Sequence, residues 1–244
     1  MSTRATLAVA FSALVLLSGV GPVAGVAGPA DERVGEVRDE TVRSDGPVHR
    51  SDGPVAQYKV SLNNVTIETW LLRNSTVVNA AIDEVVIRNA TTENGSRTNV
   101  TLSNVSVGRF DLDRGRLKNV TARKLVVRNK SVLSVPGGEF IDPNVENRTL
   151  ERHWTRNQTV SGVVIDRIVV DAAFLCGNAT LGSRTTGNDS VAPASGDERP
   201  DITVQNGTVG EALVISGEAS NWSVGSVQQP GLTNASLPKG CSRG

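Results

Sequence analysis

Aromatic rings are scarce in this sequence, which has one Tyr, three Trp and four Phe in 244 residues. A chain of this length and 38% hydrophobic content can bury the core of one or two domains, and that core must be built from Val, Leu, Ile and Ala. Histidine and cysteine number two each, and no His or Cys stands at the spacing of a zinc site. Neither acid nor base is in excess, with 25 Lys and Arg against 25 Asp and Glu. That balance gives no overall attraction to nucleic acid or anionic lipid. A glycine-rich phosphate loop and a Gly-x-Ser-x-Gly elbow are both missing. After residue 27 no apolar run is long enough to span a membrane.

What is present begins with a leader. Residues 1–27 carry Arg4, an apolar run from Leu7 to Val20, and small residues around Ala24 and Ala27, the three parts of a cleavable export signal. The alternative is an uncleaved anchor. Gly19, Gly21 and Pro22 interrupt the run and favour cleavage, leaving a mature chain without a transmembrane segment. Residues 28–57 are rich in charge, Gly and Pro, repeat RSDGPV, and read as a solvated linker.

From residue 58 a period of five takes over. Of the ten asparagines between 59 and 133, nine share one phase: Asn64, Asn74, Asn79, Asn89, Asn94, Asn99, Asn104, Asn119 and Asn129. Apolar residues hold two further phases, Val60, Val65, Trp70 onward and Leu62, Ile67, Leu72 onward, broken in the second only by Thr92 and Arg97. Strict alternation would turn Ile67 out if Leu62 pointed in, and a helical period of 3.6 drifts away from five. The chain must turn a corner in each pentad, and a bulge or loop is expected at Thr92–Arg97.

The stretches VTIET (65–69), VTLSN (100–104), FDLDR (110–114), GRLKN (115–119) and LVVRN (125–129) resemble the pentapeptide-repeat family. That resemblance implies an all-β right-handed parallel β-helix of square section, four pentads to a coil. The central residue here is often Val or Ile, and the residue before it Thr or Ser, where the family favours Leu or Phe and Asp or Asn. Residues 58–133 are the first tract, 161–182 the second, with Val163, Ile165, Ile168, Val170, Ala173 and Leu175 inward, and 202–229 the third. Residues 134–160 read as an irregular insertion or cap, with a short helix from Asp142-Pro143 through Leu150 and Trp154. Residues 183–201 read as a mobile loop and 230–244 as a tail.

Sequons Asn-x-Ser/Thr fall at Asn64, Asn74, Asn89, Asn94, Asn99, Asn104, Asn119, Asn129, Asn147, Asn157, Asn178, Asn188, Asn206, Asn221 and Asn234, fifteen of eighteen asparagines. The repeat itself writes many of them, because Asn closes one pentad and Thr stands second in the next. Asn147, Asn188 and Asn234 lie outside that rule, which favours real N-glycosylation on an exported chain. Export, dense sequons and Arg over Lys together resemble haloarchaeal surface glycoproteins. Cys176 and Cys241 are expected to form one disulfide, the alternative being buried free thiols.

Candidates for chemistry are thin. His49 and His153 read as solvated side chains. Asp111-x-Asp113-x-Gly115 hints at a calcium loop, but Arg109, Arg114 and Arg116 surround it and the distal Glu is missing. Asp166 and Asp171 could stack as a carboxylate pair, with Arg167 beside them suggesting surface pairing. No catalytic, cofactor-binding or metal residue is assigned. The expectation is a non-enzymatic structural or adhesive surface protein without cofactor, its partners unknown or drawn from envelope components and glycans. Two alternatives stay open. One is a carbohydrate-binding or polysaccharide-cleaving β-helix, which would need Arg123, Lys124, Arg128 and Asp113 to converge. The other is a pentapeptide-repeat protein-interaction module of the DNA-mimicking kind, which neutrality and export disfavour.

Overall fold

The computed structural model describes residues 60–128, 144–182 and 199–241. Residues 1–59, 129–143, 183–198 and 242–244, and with them the expected leader and linker, His49, Asn129 and Asn188, lie outside the described residues. The rest is almost wholly strand: β1 (Val60–Thr92), β2 (Gly95–Val127), β3 (Asn144–Glu146), β4 (Thr149–Arg156), β5 (Thr159–Leu181), β6 (Ile202–Gln228) and β7 (Gly231–Thr233). A single 3-10 turn at Lys239–Cys241 ends it.

Each pentad works the same way. Three residues alternate in, out, in, as Val65, Thr66 and Ile67 do. Two further residues then turn the corner, and this odd addition returns the next pentad to the same parity, as a β-bulge does. A corner needs a residue at positive φ, where Asn is tolerated because its side chain bonds locally. Asn64, Asn74, Asn79, Asn99, Asn104, Asn119, Asn147, Asn157, Asn206 and Asn221 all sit there, with φ between 47° and 58°.

The arrangement is not the coil-on-coil parallel helix that the repeat implies. β1 and β2 form one antiparallel hairpin, Val60 opposite Val127 and Thr92 opposite Gly95, so the chain reverses at Glu93 and Asn94. The expected bulge at Thr92–Arg97 is thus the hairpin's tip. β3, β4 and β5 run parallel to β1 along its other edge, β5 pairs in parallel with β6, and β6 returns antiparallel to β2. The sheet is mixed and closes on itself.

Its register explains the period. Ile82 pairs with Ile165, Ile165 with Val204, Val204 with Leu125, and Leu125 with Leu62. Four strands lead back to β1 twenty residues earlier, which is four pentads. Ile87, Val170, Val209, Val120 and Ile67 form the same circuit, every one at most 2% exposed. So large a return on four strands tilts them by roughly 70° from the axis, against the 35–45° of ordinary barrels. The result is four strands wound together round one core, with four corners to each turn.

Two further expectations change. Residues 144–146 and 149–156 are strand, not a helical cap, because they continue the β1 pairing without a register shift. His153 is buried at 3% exposure, its ring edge-on to Trp70 at 5.3 Å, and is not solvated. Trp70 donates its Nε1–H to Thr155 Oγ1 at 3.0 Å, fastening the hairpin to β4.

Candidate functional site: the corner asparagines

The six corners of the hairpin are built in facing pairs, each pair left out of the ladder: 64 with 123, 68 with 119, 74 with 113, 79 with 108, 83 with 104 and 88 with 99. Each pair contains one asparagine at positive φ, on β1 at Asn64, Asn74 and Asn79 and on β2 at Asn119, Asn104 and Asn99. One left-handed residue per pair suffices to turn both strands. Between β2 and β6 three corner asparagines, Asn104, Asn119 and Asn221, face a glycine, while Asn206 faces Arg123. A Cβ on Gly108 would lie 2.7 Å from the Cβ of Asn221, and one on Gly210 would lie 3.1 Å from that of Asn119.

Nine of the sequon asparagines are such corners: Asn64, Asn74, Asn99, Asn104, Asn119, Asn147, Asn157, Asn206 and Asn221. Asn147 therefore belongs to the repeat after all. Asn89, Asn94, Asn178 and Asn234 lack the left-handed backbone. All thirteen described sequon asparagines, corner or not, are exposed. Along one corner Asn64 donates its side-chain amide to Asn147 Oδ1, and along another Asn74 donates to Asn157 Oδ1, both at 3.2 Å.

Cys176 and Cys241 are bonded to each other, closing 65 residues. The bond straps the tail from β7 down the outer face of β5 and β6, where a Cβ on Gly240 would meet Leu213 Cδ2.

The remaining candidates are dispersed. Asp111 is held by Arg109 at 2.6 Å and accepts from Thr76, and the guanidinium hydrogen bond keeps its carboxyl below the usual range against a smaller opposing effect of burial. Asp113 accepts from Ser216 Oγ at 2.6 Å. Those contacts occupy the two carboxylates of the supposed calcium loop, and no cluster of metal-ligating groups occurs among the described residues. Asp166 and Asp171 take successive corners and do not stack, Asp171 pairing with Arg88 at 2.9 Å. Arg123 stands opposite Asn64, Asp113 opposite Asn74, and Arg128 bonds Pro200 O and Thr203 Oγ1, so these groups occupy different corners. Among the described residues no helix is long and apolar enough to cross a membrane. No family model, curated protein or solved structure matches the chain.

Proposed function

We propose that the protein is an exported, N-glycosylated structural or adhesive element of a cell surface, a non-enzymatic rod built on the square pentad module of the pentapeptide-repeat type. The observation that carries this reading is the exposure of all thirteen described sequon asparagines. The corners take a left-handed residue, asparagine or glycine, and the sheet bonds some sequon hydroxyls across strands, Ser106 with Ser223 and Thr121 with Thr208, but it does not require Ser or Thr after every corner. Asn79, a corner followed by Ala80 and Ala81, fills the same structural role without a sequon. The leader pattern of residues 1–27 and the Cys176–Cys241 bond support an oxidising compartment outside the cytoplasm.

The deciding experiment is the intact mass of the protein from its own host, before and after reduction. A mass well above that of the chain from residue 28, gaining two hydrogens on reduction, supports the reading. A mass equal to the bare chain would reduce the sequons to corner chemistry and remove the glycoprotein from the proposal.

A further inference from the structure

The outer face of the sheet between two corners carries a basic grid. On adjacent strands β4, β1 and β2, three rows of outward residues lie in register. Arg156 pairs with Arg73 and Arg73 with Arg114. Trp154 pairs with Leu71 and Leu71 with Arg116. Arg152 pairs with Thr69 and Thr69 with Lys118. Six of the nine positions are cationic and none is acidic. Neighbouring strands lie about 4.8 Å apart, so the three arginines of the first row form a ladder at that step. Like charges placed directly across strands destabilise a sheet, so the arrangement works against the fold.

Little among the described residues relieves it. Glu211 on β6 pairs with Arg116 at 2.7 Å and Lys118 at 3.5 Å. Arg73, Arg114 and Arg152 have no ion-pair partner among the described residues. Arg156 lies over the ring of Trp154 at 4.6 Å, a cation–π contact that holds the guanidinium against the face. The acids flanking the grid, Glu68 and Glu151 at one corner and Asp113 at the other, stand at corner positions outside the three rows. Asp113 is already hydrogen-bonded to Ser216. Elsewhere Glu84 and Arg167 meet as opposite charges on facing strands, and Arg88 pairs with Asp171 at a corner. The grid is a local excess of positive charge in a chain whose formal charges cancel.

We propose that this grid binds an anionic polysaccharide, with Arg156, Arg73 and Arg114 taking successive carboxylate or sulfate groups and Trp154 and Leu71 supporting the sugar rings alongside. Guanidinium forks match both anions in a bidentate geometry. Linked pyranose rings advance by about the step of the strand ladder, whereas one strand of duplex DNA offers a charge about every 3.4 Å along its axis. The choice of a sugar polymer over a nucleic acid rests on the envelope reading above, while the basic face itself does not. The site deepens that reading by giving the rod an adhesive partner class.

The test is binding of the full chain to polygalacturonate and to dextran sulfate, with neutral dextran and a duplex DNA of matched charge as comparisons. One triple variant carries Arg73→Gln, Arg114→Gln and Arg156→Gln. A second, with the same charge change, carries Arg88→Gln, Arg109→Gln and Arg167→Gln. Binding to one or both anionic sugars, weakened steeply by salt, is expected to fall at least tenfold in the first triple and less than threefold in the second. Trp154→Ala is expected to lose several-fold on the sugars and nothing on DNA. The thermal midpoint should hold or rise in the first triple, because a repulsive row is removed, so lost binding cannot be assigned to unfolding. Equal losses in both triples, no binding to either anionic sugar, or tighter binding of DNA than of the sugars would each overturn the proposal. A bare-chain intact mass together with grid-dependent sugar binding would remove the glycoprotein and leave this site standing.

Discussion

The hairpin β1–β2 and the ribbon β5–β6 are wound into the same cylinder, yet they are built to different tolerances. In the hairpin every facing pair keeps one register over 33 residues on each arm, and every corner is turned by an asparagine. The β5–β6 ribbon slips between Leu175 and Asn178, and its corner at Gly162 uses glycine at φ 78°. The second ribbon follows a groove already shaped by the first, so its own corners need less chemistry, while the Cys176–Cys241 bond secures its far end.

Four measurements sharpen or break this comparison. Removing the disulfide with Cys176→Ser and Cys241→Ser should cost about 4 kcal/mol by the chain-entropy relation for a 65-residue loop. Amide exchange should quicken in β5 and β6 before β1 and β2. A uniform increase would mean that the two ribbons are one cooperative unit. Trp70→Phe should cost about 2 kcal/mol, because Thr155 loses its donor and the smaller ring leaves space. Denaturant titration would read that loss, and an effect below about 0.5 kcal/mol would deny the tie between hairpin and β4. Asn119→Ala should cost about 1–2 kcal/mol by forcing a Cβ residue to hold φ near 50°, whereas Asn119→Gly should be almost neutral. Equal costs would place the stabilisation in the asparagine side chain and not in its backbone.

The smallest effect concerns Asp111. Its carboxyl is held below the ordinary value of 3.8, first by the Arg109 hydrogen bond. A depressed carboxylate stabilises the folded state above the unfolded value and ceases to do so as pH falls through the folded one. Asp111→Asn should therefore lower the thermal midpoint slightly at pH 7, and the difference should vanish once the pH is taken well below 3.8. A difference that persists there would assign the effect to the neutral hydrogen bond from Thr76. Exposure of both partners keeps the magnitude within the range of surface pairs.

The period of five and the inward rows were legible in the sequence because both follow from side-chain parity, whereas four pentads to a turn was only what the pentapeptide-repeat resemblance implied. The reversal at Glu93–Asn94 was not. Val65 faces Ala122 and Ile67 faces Val120, so the hairpin exchanges the two inward phases for each other and leaves the pattern unchanged. A row of apolar residues at spacing five therefore looks the same whether the chain continues or turns back. Thr92 and Arg97 in the inner row, beside Asn94-Gly95, were the trace it left. Residues 144–156 were misread for a different reason. Their inward positions include His153 and Thr155, polar groups that the Trp70 indole accommodates. The basic grid was hidden because its cations come from three separate segments, and net neutrality concealed a local excess.

The twenty-residue return of the register also fixes an order of assembly. The hairpin alone is a coiled ribbon whose turns stand two strands apart, like a screw cut with an empty second thread. Its partners across that thread lie 83 residues away at Ile82 and Ile165, while its own arms meet through a two-residue turn. Pairs of low sequence separation close first. A chain delivered N-terminus first therefore lays down the empty thread, and the later ribbon is wound into it, each corner it meets already cut.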